Sequence, residues 1–257
     1  MSVSLIIPVH NHWRVTAKCL VSIYKSDLPE QTQVIVVDDA STDQTQALLG
    51  SVIKSGKEVK VITNVQNAGY VKSMNKGIQA SSGDYIVFMN NDTLLAKNCI
   101  AMLVKTFEKH TELGILGALQ CDAFWKQKDP LIFLLRGKNA IQRDHVVTSN
   151  IPQELENSDV VYCDSVHSPC ALTSRNVIEQ IGMFDEMYGW GNYEQEDFCM
   201  TIKEKLHKQV AVCPQAKFVH FGSVSVSDDI VFWSHELDVN REKFLKKWGE
   251  KLFQNLV

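Results

Sequence analysis

Three short apolar runs, each closing on polar residues, set the rhythm of the first third of the chain. Leu5-Ile6-Ile7-Pro8-Val9 leads into His10-Asn11, Val34-Ile35-Val36-Val37 into Asp38-Asp39-Ala40-Ser41, and Tyr85-Ile86-Val87-Phe88-Met89 into Asn90-Asn91-Asp92. Unbroken Val/Ile-rich runs of this length predict strands buried on both faces, and hence a parallel sheet. Between them the apolar spacing changes to a helical one, first at Ala17, Leu20, Val21 and Tyr24. Ser41, with Gln44 three residues on, predicts a capping box opening a helix through Ile53. A strand over Val59–Thr63 precedes a helix from Tyr70 to Ala80, and a strand over Tyr85–Asn90 precedes a helix around Lys97–His110. A further strand is predicted over Leu113–Leu119. This βαβ series implies right-handed crossovers.

Residues 121–158 break the rhythm, and a long irregular segment of that kind reads as a binding loop or a plain insertion. Beyond it the pattern predicts a strand over Val160–Cys163, a helix over Arg175–Ile181, and a loop over Gly182–Gly191. An acidic helix start at Glu194–Asp197 follows, then strands at Gln209–Cys213 and Phe218–Phe221, and a helical stretch from Val231 to Leu256. No Pro/Gly-rich linker separates the halves, so 1–257 is expected to form one integrated domain.

Composition narrows the class. With 45% apolar and 22% charged residues the chain is an ordinary globular sequence, and a net charge of −4 gives no electrostatic reason to expect nucleic acid. The N-terminus enters a strand directly, without a signal-peptide pattern, and the apolar stretches are too short to span a bilayer. Seven scattered cysteines, an odd number, suggest reduced thiols in a cytoplasm. Cys163, His167 and Cys170 lack the second pair that a zinc site needs, so buried free cysteine is the better reading. In the C-terminal stretch Phe232, Trp233, Phe244, Leu245, Trp248, Leu252 and Phe253 alternate with Lys243, Lys246, Lys247 and Lys251. A helix packed on the domain with its lysines solvated is preferred there over one lying on an anionic membrane.

Ligands of parallel sheets lie beyond the carboxyl ends of the strands, where the acids and amides of the three runs gather. A carboxylate at Asp39 can accept the N3–H of a uracil or thymine ring. An Asx-type turn is the competing reading, although two adjacent acids exceed what a turn needs. Gly69 permits close backbone approach, and a helix N-terminus with Lys76 favours phosphate. For Lys76 a solvated side chain is an equal alternative.

In order and spacing, these segments resemble the N-terminal half of family-2 glycosyltransferases of the GT-A fold, in particular bacterial surface-polysaccharide and rhamnosyltransferase-like enzymes. The likeness rests on Ser4–Asn11, Val36–Asp43, Asn67-Ala68-Gly69-Tyr70-Val71, Asn75-Lys76-Gly77 and Val87–Thr93. It continues at Gly182-Met183-Phe184-Asp185-Glu186 and Val219-His220-Phe221-Gly222-Ser223. The resemblance implies an α/β, Rossmann-like, mostly parallel central sheet flanked by helices. Residues 1–120 would bind the nucleotide-sugar, and 121–257 would form the acceptor-binding and catalytic half.

The resemblance also assigns roles. Asp39, with Pro8 and His10, would hold the base of a UDP- or dTDP-sugar, and Asn67, Gly69, Asn75 and Asn91 would line the donor pocket. Asn90-Asn91-Asp92 stands at the family's DxD metal motif and keeps only its last acid. Asp92, with His220, would bind Mg²⁺ or Mn²⁺. For inverting transfer to a glycan or lipid-linked glycan hydroxyl, the base falls in Glu194-Gln195-Glu196-Asp197. Laid without a gap, the family pattern puts Gln195 at the base position. With a two-residue shift Asp197 is the base, with Glu196 and then Glu194 as alternates. Acids in a first helical turn also favour the helix dipole without any catalysis. Trp190 and Tyr188 are candidates for stacking on a sugar, and acceptor contacts are expected from Asp164–Cys170 and Asp185–Tyr193. The implied place is cytoplasmic, at the inner membrane face if the acceptor is lipid-linked. A catalytically inactive sugar-nucleotide-binding or scaffolding protein is the second reading. A nucleotidyltransferase fits poorly, because Pro8-Val9-His10-Asn11-His12 has no glycine-rich loop.

Overall fold

The computed structural model describes residues 1–121, 157–166, 169–221 and 230–254. The binding loop expected within 121–158 therefore falls almost wholly outside the described residues, as do His167, Gly222, Ser223 and Leu256. Strands β1 (Ser2–Val9), β2 (Gln31–Asp38), β3 (Val59–Thr63) and β4 (Tyr85–Met89) alternate with helices α1 (Trp13–Tyr24), α2 (Thr45–Lys54) and α3 (Tyr70–Gln79). Then come β5 (Thr93–Leu95), α4 (Cys99–Lys109), β6 (Leu113–Gln120), β7 (Val161–Tyr162), β8 (Cys170–Ser174) and α5 (Arg175–Ile181). A short 3₁₀ turn at Glu186–Tyr188, α6 (Glu194–Leu206), β9 (Gln209–His220) and α7 (Ile230–Gln254) complete the described chain.

The sheet runs β3-β2-β1-β4-β8-β6-β9-β5, with β7 beside β9. Its first four strands are parallel, as the apolar runs predict. β8 enters antiparallel between β4 and β6, while β6 and β9 pair in parallel. β8 and the three-residue β5 are not marked in the hydrophobic pattern. The two strands expected at Gln209–Cys213 and Phe218–Phe221 are one, β9, whose register against β6 shifts between Ala118 and Leu119. A bulge carries the strand past Pro214, which cannot donate to the ladder.

Both faces of the sheet are covered, which is why the central runs of β1, β2 and β4 are apolar on both sides. Leu5, Ile7 and Val9 pack with α1, α4 and Leu49 of α2. Ile6 packs on the opposite side with α3, α5, α6 and α7. α3 sits so close that a Cβ on Gly77 would lie 2.2 Å from the Ile6 Cγ2, so the glycine of Asn75-Lys76-Gly77 serves helix-to-sheet contact. Phe184 of the Gly182–Glu186 motif packs tilted at 4.7 Å on Phe88 and edge-to-face at 5.1 Å on Phe198, joining sheet, turn and α6.

Ser41 does not cap α2. It accepts the Asn11 N–H at 2.8 Å, and the Asp43 carboxylate instead receives the Thr45 N–H and hydroxyl. Phe244 and Trp248 of α7 are buried, but its lysines are not all solvated: Lys243 and Lys247 turn inward to protein oxygens. Among the described residues no helix is long and apolar enough to cross a membrane.

Candidate active site

Parallel pairing aligns the carboxyl ends of β1, β2 and β4, with β1 between the other two. Hydrogen bonds tie the loops beyond them together. The His10 Nδ1 lies 2.7 Å from the Asp39 carbonyl, and the Asn91 amide donates to the Thr16 hydroxyl at 2.9 Å. Asn11, His12 and Ala40 hold positive φ angles of 58°, 57° and 56° in these turns, a rare conformation for residues with a Cβ.

Asp39, only 3% exposed, is the hub of the loop beyond β2. Its Oδ1 accepts from the Asn64 amide (2.7 Å) and the Ala68 N–H (2.8 Å), and its Oδ2 from the Gly69 N–H (2.9 Å). A carboxylate has about four acceptor positions, so Oδ2 retains one for a ligand donor. The carboxylate thus fastens the Asn67–Gly69 turn to β2, and Asn67 adds its own side-chain acceptor to the Gly69 N–H at 3.1 Å. Gly69 has φ +86°, and a Cβ there would lie 3.0 Å from the Gly189 carbonyl oxygen. Gly69→Ala is expected to cost about 1–3 kcal/mol of stability in urea unfolding and to weaken nucleotide binding. Pro8 is buried within β1, on the same face as Ile6 and α3.

Asn64, which the hydrophobic pattern does not single out, joins Asp39, the Ser73 hydroxyl and the Lys76 ammonium. Lys76 Nζ spends a 2.6 Å bond on the Asn64 carbonyl oxygen. The only hint of Asn64 is its place just past the end of a parallel strand. Asn75, expected to line the donor pocket, has its side-chain amide committed to the turn after α5. It is 2% exposed, and its amide is consumed by the Phe184 N–H and carbonyl and by Glu186, so it clamps α3 to the turn after α5.

Beyond the end of β4 the tertiary fold joins two residues far apart in the chain. β5 pairs with β9 so that Thr93 faces His220, and the His220 Nε2 lies 2.8 Å from the Asp92 Oδ1. Both side chains are 10% exposed. Asn90 Oδ1, two residues before Asp92 in the chain, is buried without a hydrogen-bond partner. Carboxylate and imidazole, with an orphaned amide oxygen nearby, suit Mn²⁺ or Mg²⁺. No group of three or more His, Cys, Asp or Glu gathers among the described residues, so further positions would fall to diphosphate and water.

The acidic start of α6 divides by environment. Asp197, 3% exposed, accepts from the Trp248 Nε1 (2.7 Å), the Tyr188 hydroxyl (3.1 Å) and the Lys247 ammonium, which lies 2.8 Å from Oδ1 and 3.0 Å from Oδ2. Its carboxylate is a structural hub binding α7 to α6, the opposite of an open catalytic base. Burial alone would lower the Lys247 ammonium, but Asp185 and Asp197 outweigh that and raise it. Tyr188 is 0% exposed and unavailable for sugar stacking. Burial and then Asp197 push its phenol upward. Trp190 instead packs edge-to-face on Phe232 at 5.5 Å.

Glu194 differs from Asp197. It is 4% exposed, its Oε2 has no hydrogen-bond partner, and burial, reinforced by Glu196, pushes its carboxyl up to about 8. The backbone amides of Glu194 and Asn192 oppose that rise. Gln195 is 2% exposed, while Glu196 is half-buried.

The model of glycosyl transferase family 2 matches residues 4–182, more than half of the chain. The chain belongs to this family. It is 35% identical over 122 residues to an N-acetylglucosaminyltransferase of Bradyrhizobium elkanii, covering 46% of this chain and 66% of that one. Among solved structures, Staphylococcus aureus TarS residues 1–349 superpose with a TM-score of 0.62 at 19% identity, covering 87% of this chain and 61% of that fragment. The mannosyltransferase PcManGT of Pyrobaculum calidifontis, in complex with GDP-Man and Mn²⁺, gives 0.63 at 18%, covering 85% and 56%. These likenesses establish the GT-A-type fold. The chain spans about a third of the length of several curated glycosyltransferases that it matches.

Proposed function

We propose that this chain transfers one sugar, with inversion, from a UDP- or dTDP-activated donor to a hydroxyl of a bacterial surface glycan. The observation that carries the reading is the pairing of two prepared sites on one sheet edge. Asp39 keeps an acceptor position at the end of β2, and Asp92 meets His220 beyond the end of β4. TarS, which shares the fold, was solved with UDP-GlcNAc and with UDP.

In this reading Asp39 Oδ2 accepts the N3–H of the pyrimidine, and His10 and Pro8 border the ring. Asn67 and Gly69 shape the turn against the donor, and Asn91 lines the pocket near the diphosphate. Asp92 and His220 hold a divalent cation, whose charge stabilises the leaving diphosphate. The acceptor oxygen bonds to the anomeric carbon as the bond from that carbon to the diphosphate oxygen breaks, and the acceptor proton passes to a carboxylate. Glu194 is the group proposed for that proton, because its Oε2 is unengaged while the Asp197 carboxylate is committed to Trp248, Tyr188 and Lys247.

The test is calorimetric binding and turnover across UDP-, dTDP- and GDP-sugars, with and without Mn²⁺. Wild type is expected to bind a uridine or thymidine donor at least tenfold more tightly with Mn²⁺, and Asp92→Ala to lose that increment. Failure to bind any of these nucleotides would overturn the proposal. The occupied Asp197 carboxylate, with Gln195 at the ungapped base position, favours one second reading, a donor-binding protein without transfer. Metal-dependent binding with no donor turnover, unaffected by Glu194→Gln, would establish it.

A further inference from the structure

Asn240 lies within α7 and is 0% exposed, a rare burial for an amide side chain. Its two N–H groups donate to the backbone carbonyls of Tyr188 at 2.8 Å and Gly191 at 2.7 Å. Its Oδ1 accepts from the Lys243 ammonium at 2.9 Å, and that ammonium also donates to the Met187 carbonyl at 2.6 Å. Three carbonyls of one short loop are therefore held by a single turn of α7. The Gly189 carbonyl, between them, is used elsewhere. It accepts the Val71 N–H of α3 at 3.2 Å and abuts Gly69, the residue that Asp39 also holds.

The same loop runs on through Asn192 and Tyr193, whose φ angles are +71° and +69°, and enters α6 at Glu194. Two successive non-glycine residues in this region cost of order 1–3 kcal/mol each and persist only where surrounding contacts over-determine them. Tyr193 offers no side-chain cap to α6, so the contacts from α7 supply part of that determination. The Asn192 backbone amide also bears on the Glu194 carboxyl.

We propose that Asn240 is a positioning residue, fixing the 188–193 loop so that the Gly69 turn of the donor pocket and the Glu194 carboxyl are set together from the C-terminal helix. Its functional half rests on the glycosyltransferase reading above. Its structural half rests only on the hydrogen bonds to Tyr188 and Gly191.

Three variants test it. Asn240→Ala removes both donors, and Asn240→Ser keeps one hydroxyl donor should the alanine variant not fold. Trp248→Phe removes another buried hydrogen bond of α7, the one to Asp197, and keeps both Asn240 bonds to the Tyr188 and Gly191 carbonyls. Each is compared with wild type for amide hydrogen exchange at residues 188–193, UDP affinity with Mn²⁺, the pH profile of donor turnover, and melting temperature. The Asn240 variants are expected to exchange faster in the loop, to bind UDP about tenfold more weakly, and to lose turnover by about ten- to a hundredfold. Their pH profile should move to higher pH as the Asn192 amide is released from Glu194, with Glu196 still raising it. Trp248→Phe should melt lower and leave loop exchange, affinity and profile in place. If the Asn240 variants only melt lower, as Trp248→Phe does, the proposal is overturned. If wild type binds no nucleotide, the function falls, and loop exchange alone decides the structural half: faster exchange confined to the Asn240 variants supports it, and equal exchange overturns it.

Discussion

Glu194→Gln is expected to abolish transfer and, in the same protein, to raise stability at alkaline pH. The Glu194 carboxyl is raised in the folded state from 4.5 to about 8, first by burial and then by Glu196. Such a group stabilises the fold in its protonated form. That contribution is fully present below the unfolded value and is lost as pH rises through about 8. A tenfold change in an acid constant is worth about 1.4 kcal/mol, so the ionised side chain costs the fold at most about 5 kcal/mol. Glutamine keeps the shape and cannot ionise. The gain in melting temperature should therefore be small near pH 5, grow up to pH 8, and level off above it. Transfer should fall by about a hundredfold or more, the size of a lost general base, and wild-type turnover should climb with pH up to about 8 as the base ionises. Equal melting of the two proteins at about pH 8.5 would mean that the carboxyl is not held charged in a dry site, and the base assignment would fail with it.

Asp197→Ala should do the reverse of what a missing base does. It leaves the Trp248 indole and the Tyr188 hydroxyl without their acceptor, and it strips from Lys247 the more buried of its two carboxylates. Removing one partner from a buried charge network costs about 3–5 kcal/mol, equivalent to about 10 °C in a domain of this size. Thermal unfolding with circular dichroism would show it, and the loss should reach α7 first, because Asp197 is where that helix is fastened to α6. Asp197→Asn, which retains an oxygen for Trp248, should lose less. A variant that melts like wild type and lacks only turnover would return Asp197 to the catalytic role.

Much of the sheet edge beyond β1, β2 and β4 is legible in the order of residues along the chain. The strand runs predict β1, β3 and β4 to within a residue and β2 from its fourth residue on, and the polar residues after them stand at one sheet edge because parallel strands put all their carboxyl ends on the same side. Asp39 and Gly69 are marked by type and place, and the fold adds that they bond to each other. Asn75 and Tyr188 show the limit. Both sit in recognisable segments, and both are spent on structural hydrogen bonds: Asn75 on Phe184 far along the chain, Tyr188 on Asp197 in the next helix. The acids of α6 are similar in sequence and differ in surroundings: one meets an indole, a phenol and an ammonium, while another meets only backbone amides and a neighbouring carboxylate.

By itself the sequence determined the parallel α/β half, the family, and the sheet edge at which chemistry gathers, because strand burial and strand-end polarity are written in local periodicity. Only the tertiary structure decided the antiparallel entry of β8, the meeting of Asp92 with His220, the commitment of Asp197 to α7, and the grip of Asn240 on the loop before Glu194. Hydrophobic period tells which face of an element is buried. Which polar side chain finds which partner there depends on how distant elements cross, and so does whether an acid is left open or saturated.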